Sequence, residues 1–263
     1  MPSAAPPNAP AVVTEKHITE FRESGFTHIR ALLTDDEAAH YGQAARQAIE
    51  EEGRRAGMGG GGTGVEQTDD AYWKHPVLRT LARHPRIGRL AEQLAGIPLR
   101  VFGGEAFAKP PGDTSPTIWH DDLTFAPLDA RLTLNIWIAL ADVPAERGCM
   151  TFVPGSHHRP DPYRVELSAA VREPHAYLFT EWPWLRFAPR VAVPLRRGDA
   201  TVHQWRVAHS AAPNASDDTR LAFITTYADA EAIYQPHPGY NPARLQEGER
   251  LPDDRCPRVS DLT

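Results

Sequence analysis

Two residues that commonly bind metal ions, His120 and Asp122, lie two positions apart in the run Trp119-His120-Asp121-Asp122. In a β-strand, side chains at positions i and i+2 point to the same face, so this imidazole and this carboxylate can converge on one point. Such a pair suits Fe(II), Mn(II) or Zn(II). Alone it is weak, because a chain with 12 His and 34 acidic residues contains about 1.5 His-x-acid pairs by chance. A metal site is predicted only if further residues join the pair.

Two residues far downstream can join it. His209 ends the run that starts at Gly198, and Arg220 stands eleven residues later, at the head of an apolar run. Two histidines with one carboxylate on a single face are the pattern of non-haem iron oxygenases. A buried arginine is costly unless it meets an anion, and its planar fork matches a carboxylate. A dicarboxylate co-substrate that chelates the metal at one end and pairs with Arg220 at the other would account for the arrangement.

His203 lies six residues before His209, so strand alternation would place both on the same face. The sequence leaves two roles open for it, packing in the core or a position beside the metal or the substrate. Core packing is the more common outcome for such a histidine.

The elements that must position these residues change in character along the chain. Helical patterns run from Thr14 to Gly25, from Thr34 to about Glu52, and over roughly 75–95. Short β-like runs follow between Pro and Gly residues, at 99–107, 117–119, 131–140, 149–153, 191–195, 199–205 and 220–227. Alternating apolar residues from Leu132 to Leu140 predict one buried face. The pattern predicts a mainly β protein with flanking helices, a β-sandwich or jelly roll.

Composition excludes several classes of protein. A net charge of −6 leaves no basic footprint for nucleic acid or an anionic membrane. No apolar run is long enough to span a bilayer. Two cysteines are too few for a disulfide framework, and together with the absence of a signal-peptide pattern this predicts a cytoplasmic protein.

Over residues 99–227 the sequence resembles the phytanoyl-CoA dioxygenase family, with weaker similarity back to residue 14. The resemblance rests on motifs in a fixed order, which are Trp119-His120-Asp121-Asp122, Trp137-Ile138-Ala139-Leu140, Glu146-Arg147-Gly148-Cys149, Val153-Pro154-Gly155-Ser156-His157, and finally His209, Asn214 and Arg220.

The resemblance implies a double-stranded β-helix, the cupin-like jelly roll, with Fe(II) bound by His120, Asp122 and His209. It also implies that Arg220 binds 2-oxoglutarate, with Trp137 packed near this co-substrate. Lys109 matches a common family lysine near the mouth of the site.

One position departs from the family pattern. Members often have His-Gly-Ser at the distal histidine, whereas this chain has His209-Ser210-Ala211. The hydroxyl that helps to bind the co-substrate carboxylate is therefore missing from its usual place. Ser210 and Ser216 are the candidates to replace it.

The predicted organisation is a disordered tail at 1–13 and one catalytic domain at 14–263. Within that domain we expect a helical part to about 96, a jelly-roll core at about 97–230 and a C-terminal extension at 231–263. We expect a monomer or a small homo-oligomer.

The predicted activity is oxidation of an unactivated C–H bond of a small molecule, by hydroxylation, desaturation, cyclisation or epimerisation. Halogenases related to this family have Ala or Gly in place of the carboxylate ligand, so Asp122 disfavours halogenation. An alanine- and proline-rich composition of bacterial type favours tailoring of a natural product, such as antibiotic biosynthesis, over a fatty acyl-CoA substrate. Two rivals are a non-catalytic or zinc-loaded jelly-roll binding protein and a metal-dependent hydrolase. Arg220 argues against the first, and the lack of a suitably spaced further carboxylate base argues against the second.

Overall fold

The computed structural model describes residues 11–52, 65–68, 70–123, 127–159, 176–236 and 245–263. Most of the predicted N-terminal tail, residues 1–10, lies outside the described residues. Among those described, no helix is both long and apolar enough to cross a membrane.

Most of the helices precede the β-rich part of the chain. They are α1 (Glu15–Ser24), α2 (Asp35–Glu52), α3 (Ala71–Lys74), α4 (Pro76–Ala82), α5 (Pro85–Ala95) and, later, α6 (Ala176–Glu181). Helix α1 begins and ends where predicted, because the Thr14 hydroxyl accepts from the backbone N–H of His17 and Gly25 closes the helix at φ 84°.

The helical stretch predicted over roughly 75–95 is confirmed in extent, and it consists of two helices. Helices α4 and α5 begin at Pro76 and Pro85, and the preceding residues, His75 and His84, are extended. Proline lacks a backbone N–H and disfavours helical geometry in the residue before it, so each proline starts a new helix.

The strands follow the predicted runs closely from residue 99 onward. They are β1 (Phe26–Ile29), β2 (Glu66–Gln67), β3 (Leu99–Lys109), β4 (Thr117–His120), β5 (Leu128–Asp129), β6 (Thr133–Ala139), β7 (Met150–Phe152), β8 (Val191–Val193), β9 (Ala200–Gln204), β10 (His209–Ala211), β11 (Arg220–Asp229) and β12 (Ile233–Tyr234). Strands β1, β2 and β10 and the β5–β12 pair, each of two to four residues, were not predicted.

Two antiparallel sheets face each other. The major sheet has the order β1-β9-β6-β11-β3-β2 and the minor sheet the order β4-β10-β7-β8. Leu134, Ile136 and Ile138 of β6 pack with the helices on the outer face of the major sheet, which confirms the predicted alternation. The intervening Trp137 and Ala139 pack in a second apolar cluster with residues of the minor sheet. The fold is the predicted double-stranded β-helix with flanking helices.

The inner face of the major sheet is organised in rows of paired residues. One row crosses the sheet through Phe26, His203, Asn135, Thr226 and Gly103. At its β1 end, the Phe26 ring stacks on that of a minor-sheet phenylalanine, with centroids 4.3 Å apart. This row lies opposite the strands that hold the predicted metal ligands.

Candidate active site

His120 and His209 are paired in register on neighbouring strands of the minor sheet. His120 ends β4 and His209 begins β10. Asp122 follows two residues after His120, where its backbone N–H donates to the Trp205 carbonyl over 2.8 Å. One ligand-type atom from each of the three residues lies within 4.8 Å of the others. The structure thus brings together the three residues predicted from the sequence as metal ligands.

A backbone carbonyl orients each histidine. Nδ1 of His120 lies 2.7 Å from the Ile118 oxygen, and Nδ1 of His209 lies 3.0 Å from the Val207 oxygen. A carbonyl oxygen only accepts, so both Nδ1 atoms carry a hydrogen, and Nε2 of each ring presents a lone pair when that ring is neutral. The Nε2 atoms lie 3.5 and 3.8 Å from Asp122 Oδ1. Metal-binding histidines are oriented in this way, by a partner at the other ring nitrogen.

Burial and neighbouring charges set the protonation of the three residues. Burial alone would raise the pKa of Asp122, but the neighbouring imidazoles of His209, His120 and His203 bring it well below its usual value. Burial, followed by His120, lowers the pKa of His209 to about 3. Burial lowers the pKa of His120, but contact with Asp122, the charge of that carboxylate and the Ile118 carbonyl together raise it. A carboxylate and a neutral imidazole are therefore available to a cation, which competes with a proton for His120.

This donor set fits a divalent metal ion. Adjacent nitrogen and oxygen ligands at about 2.1 Å from a common ion lie about 3 Å apart. The observed separations of 3.5 and 3.8 Å from Asp122 Oδ1 are close to that value. Both imidazoles are held with Nε2 toward the carboxylate, so little reorganisation separates this geometry from a ligand set.

Arg220 is a buried cation on the inner face of the major sheet. It begins β11, is 4% exposed, and donates from Nη1 to the Gly148 carbonyl over 2.7 Å. Its guanidinium carbon lies 5.8 Å from the centroid of the Trp137 ring, so the two predicted co-substrate contacts are neighbours. Burial lowers the pKa of Arg220 to about 10, which leaves it charged at neutral pH. A buried charge of this kind calls for an anionic partner.

The resemblance implied that Lys109 lies near the mouth of the site, but the structure places it in the interior. It is fully buried opposite Arg220 in the β3–β11 register. Its Nζ donates to the carbonyls of Ser115 and Ala212, over 2.9 and 3.0 Å. Burial, followed by the charge of Arg220, lowers its pKa to about 7. Lys109 thus adds titratable positive charge beside Arg220, while its role in co-substrate binding stays a prediction.

Neither predicted replacement for the missing hydroxyl lies on the inner face. Ser210 is only half-buried, between two inward-facing residues of β10, and the Ser216 hydroxyl donates to Asn214 Oδ1 over 2.8 Å. Thr201, which pairs with Trp137 across β9 and β6, is fully buried, and its Oγ1 has no hydrogen-bond partner among the described residues. A buried hydroxyl without a partner is unfavourable, so Thr201 is a better candidate than either serine.

His203 lies beside the carboxylate, which decides between its two predicted roles. Its Nε2 is 3.5 Å from Asp122 Oδ2, and its ring centroid is 4.8 Å from that of His209. The alternation used to predict a shared face is wrong in detail, because a turn separates β9 from β10. Both histidines nevertheless face the space between the sheets.

Asn135 was not predicted to be a site residue, although it contacts Asp122. Its Nδ2 donates to Asp122 Oδ2 over 2.9 Å. The signal in the sequence is an amide at an inward position of β6, a strand whose one other polar residue is Thr133. Pattern alone could not identify its partner, because that depends on the register between the two sheets.

A cavity of about 220 Å³ adjoins the carboxylate ligand. Asp122 and Gly103 are both part of its wall. The space beside Gly103 is open, because a Cβ added there would meet no atom within 4 Å. The register of β3 and β11 shifts at Phe102, and such a bulge turns an extra side chain toward the interior. The remaining wall residues are Asp70, Trp73, Gly104, Glu105, Phe107, Pro127, Asn135, Trp205, Ile224 and Thr226. A small molecule in this cavity would lie next to the metal site.

The chain is similar to known proteins over most of the described fold. A model of the phytanoyl-CoA dioxygenase (PhyH) family matches residues 21–222. The phytanoyl-CoA dioxygenase domain-containing protein 1 of Mus musculus is 31% identical over 164 residues, which cover 59% of this chain and 54% of the mouse protein. The chain thus spans about half the length of the curated relatives it matches.

Two solved structures match nearly the whole chain. The alpha ketoglutarate dependent carbocyclase SnoK from nogalamycin biosynthesis is 40% identical with a TM-score of 0.85, over 94% of this chain and 96% of SnoK. The epimerase SnoN, in complex with Fe3+, alpha ketoglutarate and nogalamycin RO, is 39% identical with a TM-score of 0.82, over 93% of this chain and 98% of SnoN. The motifs, the fold and these similarities agree, and the chain belongs to the phytanoyl-CoA dioxygenase family.

Proposed function

We propose that the chain is an Fe(II)- and 2-oxoglutarate-dependent oxygenase that oxidises an unactivated C–H bond of a small molecule. The observation that supports this most strongly is the pairing of two features in one interior. His120, Asp122 and His209 form a compact set of metal donors, and Arg220 is a buried cation on the inner face of the facing sheet. A metal site alone would fit many functions, but the added cation favours an anionic co-substrate.

Each end of 2-oxoglutarate has a counterpart in this interior. The 2-oxo acid end is a chelating group, and His120, Asp122 and His209 leave coordination positions open to it. The distal carboxylate matches the fork of Arg220, which donates to the neutral Gly148 carbonyl. Bound iron with 2-oxoglutarate and oxygen supplies the oxidising chemistry.

The chain's own residues position the reactants and exclude water. Trp137 packs beside Arg220, and Phe152 packs beside His209 with ring centroids 5.9 Å apart. Apolar walls of this kind strengthen the pairing of Arg220 with a carboxylate, because fewer water molecules compete for it. The Thr201 hydroxyl is available to donate to a carboxylate oxygen on the same face.

The cavity beside Asp122 is the proposed substrate pocket. The similarity to SnoK and SnoN, which are linked to nogalamycin, favours tailoring of a natural product. One of these relatives is a carbocyclase and the other an epimerase, so cyclisation and epimerisation join hydroxylation and desaturation as outcomes to test. Succinate release from 2-oxoglutarate, measured with a panel of natural products that includes nogalamycin and its precursors, tests the proposal. A substrate should stimulate succinate release. The proposal would be contradicted if iron-loaded protein turned over no member of the panel and also failed to bind 2-oxoglutarate.

Filling the pocket at Gly103 should block substrate and spare the co-substrate. Gly103→Leu projects a side chain into space where a Cβ meets nothing, and no positive φ constrains the position. We expect the KM of a substrate found in the panel to rise by about tenfold or more, since steric exclusion from a pocket commonly has effects of this size. Gly103→Ala is the graded control, with a smaller rise. An unchanged substrate KM in Gly103→Leu would place the substrate elsewhere. A loss of 2-oxoglutarate affinity as large as the rise in substrate KM would do the same.

The pKa of Lys109 predicts that 2-oxoglutarate binds less tightly as the pH rises. Lys109 is cationic below its pKa of about 7 and neutral above it, and its charge lies beside that of Arg220. A bound anion favours the protonated lysine, so affinity should be highest near pH 6 and fall toward pH 9. If the bound anion raises the pKa of Lys109 by one unit, the affinity for 2-oxoglutarate falls by up to about tenfold across this range. Calorimetric titration across this range should give a flatter profile for Lys109→Met, whereas parallel profiles would exclude Lys109 from the linkage.

A further inference from the structure

The two carboxylate oxygens of Asp122 have different surroundings. Oδ1 faces Nε2 of His120 and of His209, at 3.5 and 3.8 Å. Oδ2 points away from them, toward Asn135 Nδ2 at 2.9 Å and His203 Nε2 at 3.5 Å. One oxygen is thus directed to the metal site, and the other is held by the protein.

The orientation of the Asn135 amide is determined by its partners. Its Oδ1 accepts from the indole Nε1–H of Trp205 over 2.9 Å and from the Thr226 hydroxyl over 2.7 Å. An indole N–H can only donate, so the atom that faces Trp205 must be the amide oxygen. The amide nitrogen therefore faces Asp122 and donates to Oδ2. A flipped amide would set two donors against each other.

The same residues restrain the backbone at Asp122. The Trp205 carbonyl accepts from the backbone N–H of Asp122 over 2.8 Å, while the Trp205 indole holds the Asn135 amide. Asn135 is itself 6% exposed in the centre of β6, between β9 and β11. Asp122 follows the end of β4, outside any strand, and the major sheet supplies the rigidity that this position lacks.

We propose that Asn135 is a positioning residue that fixes Asp122 as a ligand through a single oxygen. This inference rests on the proposed function, because it concerns how the metal site is held. A carboxylate that binds through one oxygen occupies one coordination position, whereas a carboxylate free to rotate can occupy two. By holding Oδ2, Asn135 keeps a position open for the co-substrate or oxygen. Trp205 and Thr226 act through Asn135, by fixing its amide.

Removing the amide should weaken iron binding and alter the metal environment. Asn135→Ala leaves Asp122 Oδ2 without its 2.9 Å donor. We expect Fe(II) affinity, measured by anaerobic titration of the full chain, to fall by about 10- to 100-fold, as for other groups that orient metal ligands. In iron-saturated protein, the visible absorption band of the 2-oxoglutarate complex should also shift. A purely structural role of Asn135 would lower the thermal stability of the metal-free protein without shifting this band.

Two threonine variants keep the test decisive if Asn135→Ala does not fold. Thr226→Val removes one donor to the amide, whereas its neighbour Thr225 donates to the Ala82 carbonyl on the outer face. Thr226→Val should weaken Fe(II) binding several-fold, and Thr225→Val should leave it unchanged. Equal losses of Fe(II) affinity in Thr226→Val and Thr225→Val would overturn the inference. So would a folded Asn135→Ala variant that keeps the wild-type Fe(II) affinity and an unshifted absorption band. If the wild-type protein binds no Fe(II), the proposed function fails first, so the two failures are distinguishable.

Discussion

His120→Ala is expected to abolish binding of Fe(II) at micromolar concentrations. The variant removes one of two nitrogen donors whose Nε2 faces Asp122, and the ring is held for this by the Ile118 carbonyl. Loss of a residue that only orients a ligand costs about 10- to 100-fold in metal affinity. Loss of a ligand itself should therefore exceed about 100-fold. Anaerobic titration, with iron content measured after removal of unbound metal, gives the result directly.

The control for this variant is a histidine outside the site. His158 is exposed in the short helical turn Ser156–His158, and His158→Ala should bind iron as the wild type does. Equal iron content in His120→Ala and the wild type would mean that the metal binds elsewhere. Thermal unfolding of both metal-free variants separates loss of the site from loss of the fold.

Arg220→Ala should release 2-oxoglutarate and retain iron. The guanidinium is 4% exposed and does not belong to the proposed ligand set, so its loss removes the partner of the distal carboxylate only. Breaking a buried charge pair costs about 3 to 5 kcal/mol, which corresponds to an affinity loss of about 100-fold or more. Arg220→Lys should recover only part of the affinity, because an ammonium group cannot form the bidentate contact.

A truncated co-substrate provides the matched control. 2-Oxopentanoate retains the chelating end and lacks the distal carboxylate, so the wild type should bind it about as weakly as Arg220→Ala binds 2-oxoglutarate. The variant should no longer discriminate between the two acids. If it still prefers 2-oxoglutarate by the wild-type ratio, another cation binds the distal carboxylate, and Lys109 is the first candidate.

The sequence was most informative where period and spacing determine structure. The alternation from Leu132 to Leu140 identified the outer face of β6, and strand boundaries after residue 99 were close to those observed. The i, i+2 spacing of His120 and Asp122 placed both side chains at one point, although Asp122 lies just beyond its strand. His209 and Arg220 were identified by their order and distance along the chain.

The parts that escaped prediction depend on contacts between distant residues. Asn135 is one of two polar residues in the otherwise apolar strand β6, and only the packing of the two sheets against each other brings it to Asp122. The family resemblance predicted that Lys109 lies near the entrance of the site, yet its ammonium group donates to two backbone carbonyls in the interior. The candidate hydroxyl on the inner face belongs to Thr201 on β9, which no motif near His209 could indicate.

The most direct test of a shared iron and 2-oxoglutarate site is the anaerobic absorption spectrum of the wild-type protein. Fe(II) alone should give no visible band, and addition of 2-oxoglutarate should produce one that saturates at one equivalent of each per chain. The band should be absent with Zn(II), absent in His120→Ala, and weakened in Arg220→Ala at limiting 2-oxoglutarate. A featureless visible spectrum for wild-type protein that has bound both components would contradict chelation of 2-oxoglutarate to an iron held by His120, Asp122 and His209.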